Sequence, residues 1–145
     1  MTSLTRAAVA AVSLLAVPAV AMGGNFKSPS GNIQCLVTGG SFASASCLVR
    51  NATWPSPPKK PASCQLDWDP YQMTIYRKHV FAGACRGDIG PACQPGVACP
   101  VLRYGHGVTV GDIRCTSART GITCRLRKGR GIGFRIAREG YAVLH

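Results

Sequence analysis

The sequence predicts an all-β fold: a small disulfide-rich sandwich or barrel built from hairpins. Three observations support this prediction. The chain after residue 21 lacks helical periodicity, its short apolar runs are interrupted by Gly, Pro or Ser at intervals of about eight to twelve residues, and it contains 8 cysteines. Evenly spaced short runs are typical of β sandwiches and barrels, and disulfides support chains with small cores.

The N-terminal residues have the features of a signal peptide. Arg6 precedes an apolar run over residues 7–17 without ionisable groups, and the region ends in Ala19-Val20-Ala21, the small-x-small pattern that a signal peptidase cleaves. The run is about half the roughly 20 residues that span a membrane, which favours cleavage over a retained anchor. We therefore predict a signal peptide over residues 1–21 and one secreted or periplasmic β domain over residues 22–145, with no membrane span after cleavage.

The cysteines are predicted to form structural disulfides rather than a metal site. No C-x-x-C motif occurs and only 3 histidines are present, so neither a metal nor a cofactor is expected. Eight cysteines allow many pairings, and sequence alone does not select one. Their order along the chain favours pairing between neighbours: Cys35 with Cys47, Cys64 with Cys85, Cys93 with Cys99, and Cys115 with Cys124.

The first predicted hairpin uses residues 32–37 and 45–50. Ile33, Cys35 and Val37 alternate with other side chains and are expected to point inward. Residues 39–41 then form a loop, and Cys47 returns opposite Cys35.

The middle of the chain is predicted to be less regular. Residues 51–61 contain four prolines, which exclude a central strand and indicate a linker. Residues 64–68 and 73–80 form a second strand pair, with a turn at residues 67–70. Residues 83–100 are predicted to be an irregular loop held by one disulfide.

Strands resume in the last third of the chain. The predicted strands are residues 108–115, 121–127, 132–137 and 141–144, separated by turns at residues 117–120, 128–131 and 138–140.

One internal repeat is present. Gly31-Asn32-Ile33-Gln34-Cys35 matches Gly111-Asp112-Ile113-Arg114-Cys115, and a second cysteine follows each copy, Cys47 and Cys124 respectively. The repeat predicts two equivalent hairpins related by a pseudo-twofold axis. Short cysteine-containing strands also resemble one another by chance, and the sequence leaves both interpretations open.

The run Phe26-Lys27-Ser28-Pro29-Ser30-Gly31-Asn32-Ile33-Gln34-Cys35 resembles a family of small secreted bacterial proteins whose domain has no assigned function and whose signature is SPSGNI-x-C. Further similar segments extend over nearly the whole chain after residue 21, but the pair Cys93 and Cys99 is additional here. The resemblance implies a common fold and an exported location. It implies no activity and no catalytic residue.

Charge is the strongest functional indication in the sequence. The chain has 17 Lys and Arg against 5 Asp and Glu, a net charge of +12, which attracts polyanions. Strand alternation places Arg125, Arg127 and Arg135 on one exposed surface, with Lys128 and Arg130 in the adjoining turn. We predict that these five residues bind an anionic envelope polymer or glycan, without specific recognition of nucleic acid. The alternative is that the charge only keeps an exported protein soluble.

Two other functions are alternatives for this sequence. A rigid disulfide-held loop over residues 83–100 suits a protein-interaction or inhibitor module with a protein partner. A small secreted hydrolase such as a nuclease would need acid-base residues, for which His79 beside Lys78, and His106, are the candidates. The sequence contains no motif of such enzymes, so we predict a protein that is not an enzyme and has no catalytic residue.

Two further patterns have a structural and a functional interpretation. Gly129-Arg130-Gly131-Ile132-Gly133 resembles a phosphate-binding loop, but no helix pattern follows it, so a hairpin turn is predicted. Five aromatic residues are candidates for sugar stacking but are more often core residues in small β proteins: Trp54, Trp68, Tyr71, Tyr76 and Tyr104.

Overall fold

Ten short strands form two five-stranded antiparallel sheets in the computed structural model, which describes residues 23–88 and 92–145. The strands are β1 (Gly23–Lys27), β2 (Ile33–Thr38), β3 (Ser44–Val49), β4 (Asp67–Tyr76), β5 (His79–Arg86), β6 (Gly107–Val110), β7 (Ile113–Ala118), β8 (Gly121–Leu126), β9 (Gly133–Ile136) and β10 (Tyr141–Leu144). The first sheet contains β1 to β5 and the second β6 to β10, each paired in chain order. The all-β prediction is confirmed. The predicted signal peptide lies outside the described residues.

The core lies between the two sheets. Along β3 and β7, alternate side chains are buried, as expected for strands with one face on the core. Both sheets contribute to one buried apolar cluster, in which Phe134 is the largest fully buried side chain. Strands β3 and β4 contact β9 across the interface, so the fold is a sandwich. Among the described residues, no helix is long and apolar enough to cross a membrane.

The four disulfides have the pairing that the order of the cysteines predicts. Cys35 and Cys47 are directly opposite on β2 and β3, and Cys115 and Cys124 are directly opposite on β7 and β8. All four are fully buried, and the Sγ atoms of Cys47 and Cys124 lie 3.9 Å apart. The two central disulfides therefore pack against each other in the middle of the sandwich.

The internal repeat corresponds to equivalent positions in the two sheets. Hairpin β2–β3 contains the first copy and hairpin β7–β8 the second, and each supplies the second and third strands of its sheet. This arrangement agrees with the predicted pseudo-twofold relation, because each copy contributes one central disulfide.

The predicted turn at residues 67–70 is wrong. Strand β4 runs through this segment, with a register shift between Asp69 and Met73. Asp69 Oδ1 accepts a hydrogen bond of 2.9 Å from the Tyr71 N–H, so the turn-forming chemistry produces a β-bulge within the strand. The chain turns instead at Arg77 and Lys78, both with positive φ (46° and 67°).

Three other boundaries differ from the prediction. Residues 108–115 do not form one strand, because Gly111 (φ 55°) and Asp112 make the turn between β6 and β7. Strand β7 continues to Ala118, which shortens the predicted turn at residues 117–120. The irregular loop predicted over residues 83–100 begins later, because β5 extends to Arg86; residues 89–91 lie outside the described residues.

The proline-rich segment over residues 51–61 contains no strand, as predicted, but it is also part of the core. Trp54 is buried, and its Nε1–H donates to the Ala137 carbonyl oxygen at 2.9 Å. Its ring packs edge-on to Tyr71, with centroids 5.4 Å apart, and against Tyr141 at 4.8 Å. The segment therefore covers the core where the two sheets meet.

Candidate functional site

Three arginines from adjacent strands occupy the outer face of the second sheet. Arg114 on β7 is directly opposite Arg125 on β8, and Arg135 on β9 is opposite Thr123, the β8 residue two positions before Arg125. All three side chains are exposed. We call Arg114, Arg125 and Arg135 the arginine face.

The remaining residues of this outer face are mostly small or carry hydroxyl groups. Given the strand register they are Gly107, Thr109, Thr116, Ala118, Gly121, Thr123, Gly133, Ala142 and Leu144. None of the strand residues that project from this face is acidic. Like charges directly opposite each other destabilise a sheet, and a carboxylate partner would relieve the repulsion. The positive charge of Arg114 and Arg125 is therefore not compensated by a carboxylate on the strands of this face.

Each guanidinium group is held by one hydrogen bond. Arg114 donates to Thr109 Oγ1 (3.2 Å), Arg125 to the Gly131 carbonyl oxygen (2.7 Å) and Arg135 to the Thr120 carbonyl oxygen (2.9 Å). Arginine has several further N–H groups, so donors remain for a ligand. Holding the guanidinium groups in place before binding reduces the side-chain entropy that a ligand must overcome.

Two glycines make room for arginine side chains on this face. A Cβ atom at Gly133 would lie 2.7 Å from Arg125 Cγ, and one at Gly107 would lie 2.9 Å from an Arg114 guanidinium nitrogen. A larger residue at Gly107 would displace the Arg114 guanidinium, whereas one at Gly133 would first clash with the Cys124 carbonyl oxygen in the backbone of β8. The side chains of Arg114 and Arg125 therefore lie over the backbone of Gly107 and Gly133, respectively.

The other predicted binding residues lie beyond the end of β8. Arg127, Lys128 and Arg130 belong to the segment between β8 and β9, which is a turn as predicted. Lys128 Nζ lies 3.3 Å from Asp112 Oδ1, the one salt bridge in the described part of the chain; both side chains are half or more exposed, so the pair contributes little stability. The predicted site is therefore divided between the arginine face and this turn.

A polar cavity of about 520 Å³ lies at the opposite end of the sandwich. It is lined by serine and asparagine residues from the β1–β2 connection and from the segment after β3, and by Tyr104, Arg119, Arg138 and Glu139. The Arg119 guanidinium lies 5.1 Å from the centre of the Tyr104 ring, a cation–π arrangement. Positive charge thus also occurs at this end of the second sheet.

The structure does not bring the two candidate acid-base histidines together. His79 begins β5 beside the turn at residues 77–78, whereas the His106 carbonyl accepts from the Ser117 N–H near the β7–β8 turn, at the other end of the sandwich. Both histidines are exposed. In the described ranges, no group of three or more His, Cys, Asp or Glu side chains is close enough to hold a metal ion.

The five aromatic residues that are candidates for sugar stacking do not form one platform. Trp54 and Tyr71 pack against each other at the core. Trp68 lies over Gly83 and donates to the Pro58 carbonyl oxygen at 3.0 Å. The Tyr76 ring contacts the Arg77 guanidinium, and Tyr104 lines the polar cavity at the opposite end of the sandwich. Each of these aromatic residues therefore makes its own local contacts.

Comparison with known proteins gives a family but no function. A family model described as a family of unknown function (DUF6636) matches residues 8–142. No curated protein and no solved structure matches the chain.

Proposed function

The chain belongs to the DUF6636 family of unknown function, and we propose that it is a non-enzymatic module that binds anionic polymers or surfaces of the cell envelope. The observation that carries this proposal is the arginine face, where Arg114 and Arg125 are directly opposite on neighbouring strands and no acidic strand residue accompanies them. Exposed cations on a sheet face without carboxylates create a positive potential that attracts a polyanion.

The geometry of the arginine face suits a ligand with repeated anionic groups. A planar guanidinium pairs well with phosphate, sulfate or carboxylate oxygens. The three guanidinium groups are directed to different parts of the face, towards Thr109, Gly131 and Thr120, so they present separate cations to a ligand. Lipopolysaccharide, teichoic acids and acidic glycans all carry anionic groups in series. Contacts of this kind carry no base sequence information, so we propose no specific nucleic acid partner.

The proposed location follows from the disulfides and the N-terminal sequence. Four disulfides are typical of proteins that fold in an oxidising compartment. We propose that this is a bacterial protein, that residues 1–21 direct export and are removed, and that residues 22–145 act as one secreted or periplasmic domain.

Heparin, a soluble polyanion, provides the first test. The double substitution Arg114→Gln and Arg125→Gln is expected to weaken heparin binding about tenfold at about 0.15 M salt, because both guanidinium groups contact the polymer. The matched control, Lys59→Gln with Lys60→Gln, removes the same charge from exposed positions of the proline-rich segment and should change binding less than twofold. Affinity chromatography and calorimetry measure both variants.

Two results would contradict the proposal. Equal loss of affinity in the two double variants would mean that only net charge matters, as expected if the cations merely keep the protein soluble. Binding that persists on adding salt would also contradict it, because contacts between exposed charges are screened. Salt-resistant capture of envelope proteins would favour the interaction-module alternative instead.

A further inference from the structure

Four turns converge at one end of the sandwich. They comprise residues 39–43, 77–78, 111–112 and 127–132. The register pairs Thr38 with Ser44 and Ser44 with Tyr76, so the first two turns are adjacent. A Cβ atom at Gly111 would lie 3.5 Å from Gly39 Cα, which brings the turns of the second sheet to the same place. We call these four segments the four-turn end.

An aromatic side chain that the core does not use lies at the four-turn end. Phe42 is 62% exposed, the largest value among the exposed large apolar residues of the described chain. It ends a short 3-10 turn (Gly40–Phe42). The Arg77 guanidinium lies 5.4 Å from the Phe42 ring centre and 5.3 Å from that of Tyr76. An isolated exposed aromatic ring beside a cation is suited to insertion between lipid headgroups.

The charge at the four-turn end is strongly positive. Two cations come from the β4–β5 turn and three from the β8–β9 turn, and all are exposed: Arg77, Lys78, Arg127, Lys128 and Arg130. Asp112 is the one acidic residue in the four turns, and it pairs with Lys128. A cationic surface with an exposed aromatic ring is complementary to an anionic bilayer, which attracts Lys and Arg side chains near its surface.

The exposed Phe42 ring favours a bilayer over a soluble polymer as the partner of the four-turn end. An apolar ring gains free energy when it leaves water for a lipid interface, whereas a hydrophilic polymer offers it no apolar contact.

We propose that the four-turn end docks on an anionic lipid bilayer, with the Phe42 ring among the headgroups and the surrounding cations on lipid phosphates. This inference rests on the proposed function, since it names a lipid surface as one anionic component of the envelope. It uses residues outside the arginine face, so the two proposals are separable by mutation.

Vesicle binding tests the inference. The protein is mixed with sedimentable vesicles of phosphatidylglycerol and phosphatidylcholine, and with vesicles of phosphatidylcholine alone. Phe42→Ser is expected to reduce binding to the anionic vesicles about tenfold, because it removes the apolar group that enters the interface. The matched control is Leu66→Ser, which removes an exposed apolar side chain (54% exposed) before β4, at the other end of the sandwich. This control should change binding less than twofold.

The same variants distinguish the two proposals. Phe42→Ser should leave heparin binding unchanged, whereas Arg114→Gln with Arg125→Gln should reduce it. A second variant, Arg77→Gln with Lys78→Gln, should also weaken binding to anionic vesicles about tenfold. Vesicle binding that is unaffected by both the Phe42 and the Arg77–Lys78 variants would overturn docking by the four-turn end, even if heparin binding supports the arginine face. Equal binding to the two vesicle compositions would overturn it as well. Far-UV circular dichroism of each variant checks that the fold is retained.

Discussion

Replacing Cys115 and Cys124 together with alanine is expected to lower the free energy of unfolding by about 2 to 5 kcal/mol. Both residues are fully buried, and the bond joins directly opposite positions of β7 and β8. Loss of the Cys124 sulfur also removes its 3.9 Å contact with Cys47 Sγ, which leaves a gap beside the second central disulfide. Urea unfolding under non-reducing conditions, followed by far-UV circular dichroism, measures the change.

The double substitution Cys93→Ala and Cys99→Ala is the matched control, because it also removes one disulfide that closes a short loop. This loop is partly exposed and contacts the first sheet through few polar groups, among them Gln34 Oε1, which accepts from the Cys93 N–H at 3.2 Å. It can therefore loosen while both sheets stay folded, and we expect a loss of less than about 2 kcal/mol. Equal losses in the two double variants would show that the central disulfides stabilise only through chain entropy and not through packing.

The sequence predicts a strand well where the apolar side chains alternate along it and its cysteine lies on the same face as those apolar side chains. Residues 32–37 were predicted for the first such strand, and β2 spans Ile33–Thr38. In this hairpin, one inward face carries Ile33, Cys35 and Val37, and the opposite strand carries Cys47. A shift by one residue would turn all of these side chains outward, so the register is strongly determined.

Turns were harder to predict because the same residues form different local structures. Asp69 and Pro70 are typical turn formers, yet the sheet accommodates them as a bulge within β4. Arg77 and Lys78 carry no turn signal, and two consecutive residues with positive φ are costly without glycine. The pairing of β4 with β5 imposes this conformation, and such a tertiary effect is not visible in local sequence.

The candidate site was only partly predicted. Arg125 and Arg135 were placed correctly on one exposed face, but Arg127 lies beyond the end of β8. The predicted site does not include Arg114, which the structure adds to this face. The dipeptide Gly111-Asp112 between two apolar runs was a hairpin signal that could have identified β7 and its register. Once β7 is recognised, its pairing with β8 places Arg114 opposite Arg125.

The second large effect is expected for Trp54, in the segment whose prolines indicated a linker. Trp54→Ala should lower the free energy of unfolding by about 3 to 5 kcal/mol, because it leaves a cavity between Tyr71 and Tyr141. It also removes the Nε1–H that the Ala137 carbonyl accepts. Chemical denaturation followed by far-UV circular dichroism is the appropriate measurement, since the substitution also removes a fluorophore.

Trp68→Ala is the matched control for Trp54→Ala. Trp68 also uses its Nε1–H to hold a backbone carbonyl, that of Pro58, but its ring is half-buried and lies over Gly83 at the sheet edge. Because less apolar surface is removed from water at this position, we expect a loss of about 1 to 2 kcal/mol. The difference between the losses in free energy of unfolding of the two variants measures how much the proline-rich segment contributes to the stability of the sandwich. If Trp54→Ala costs no more than Trp68→Ala, residues 51–61 act only as a connection between the first hairpin and β4, and the core is closed by the sheets alone.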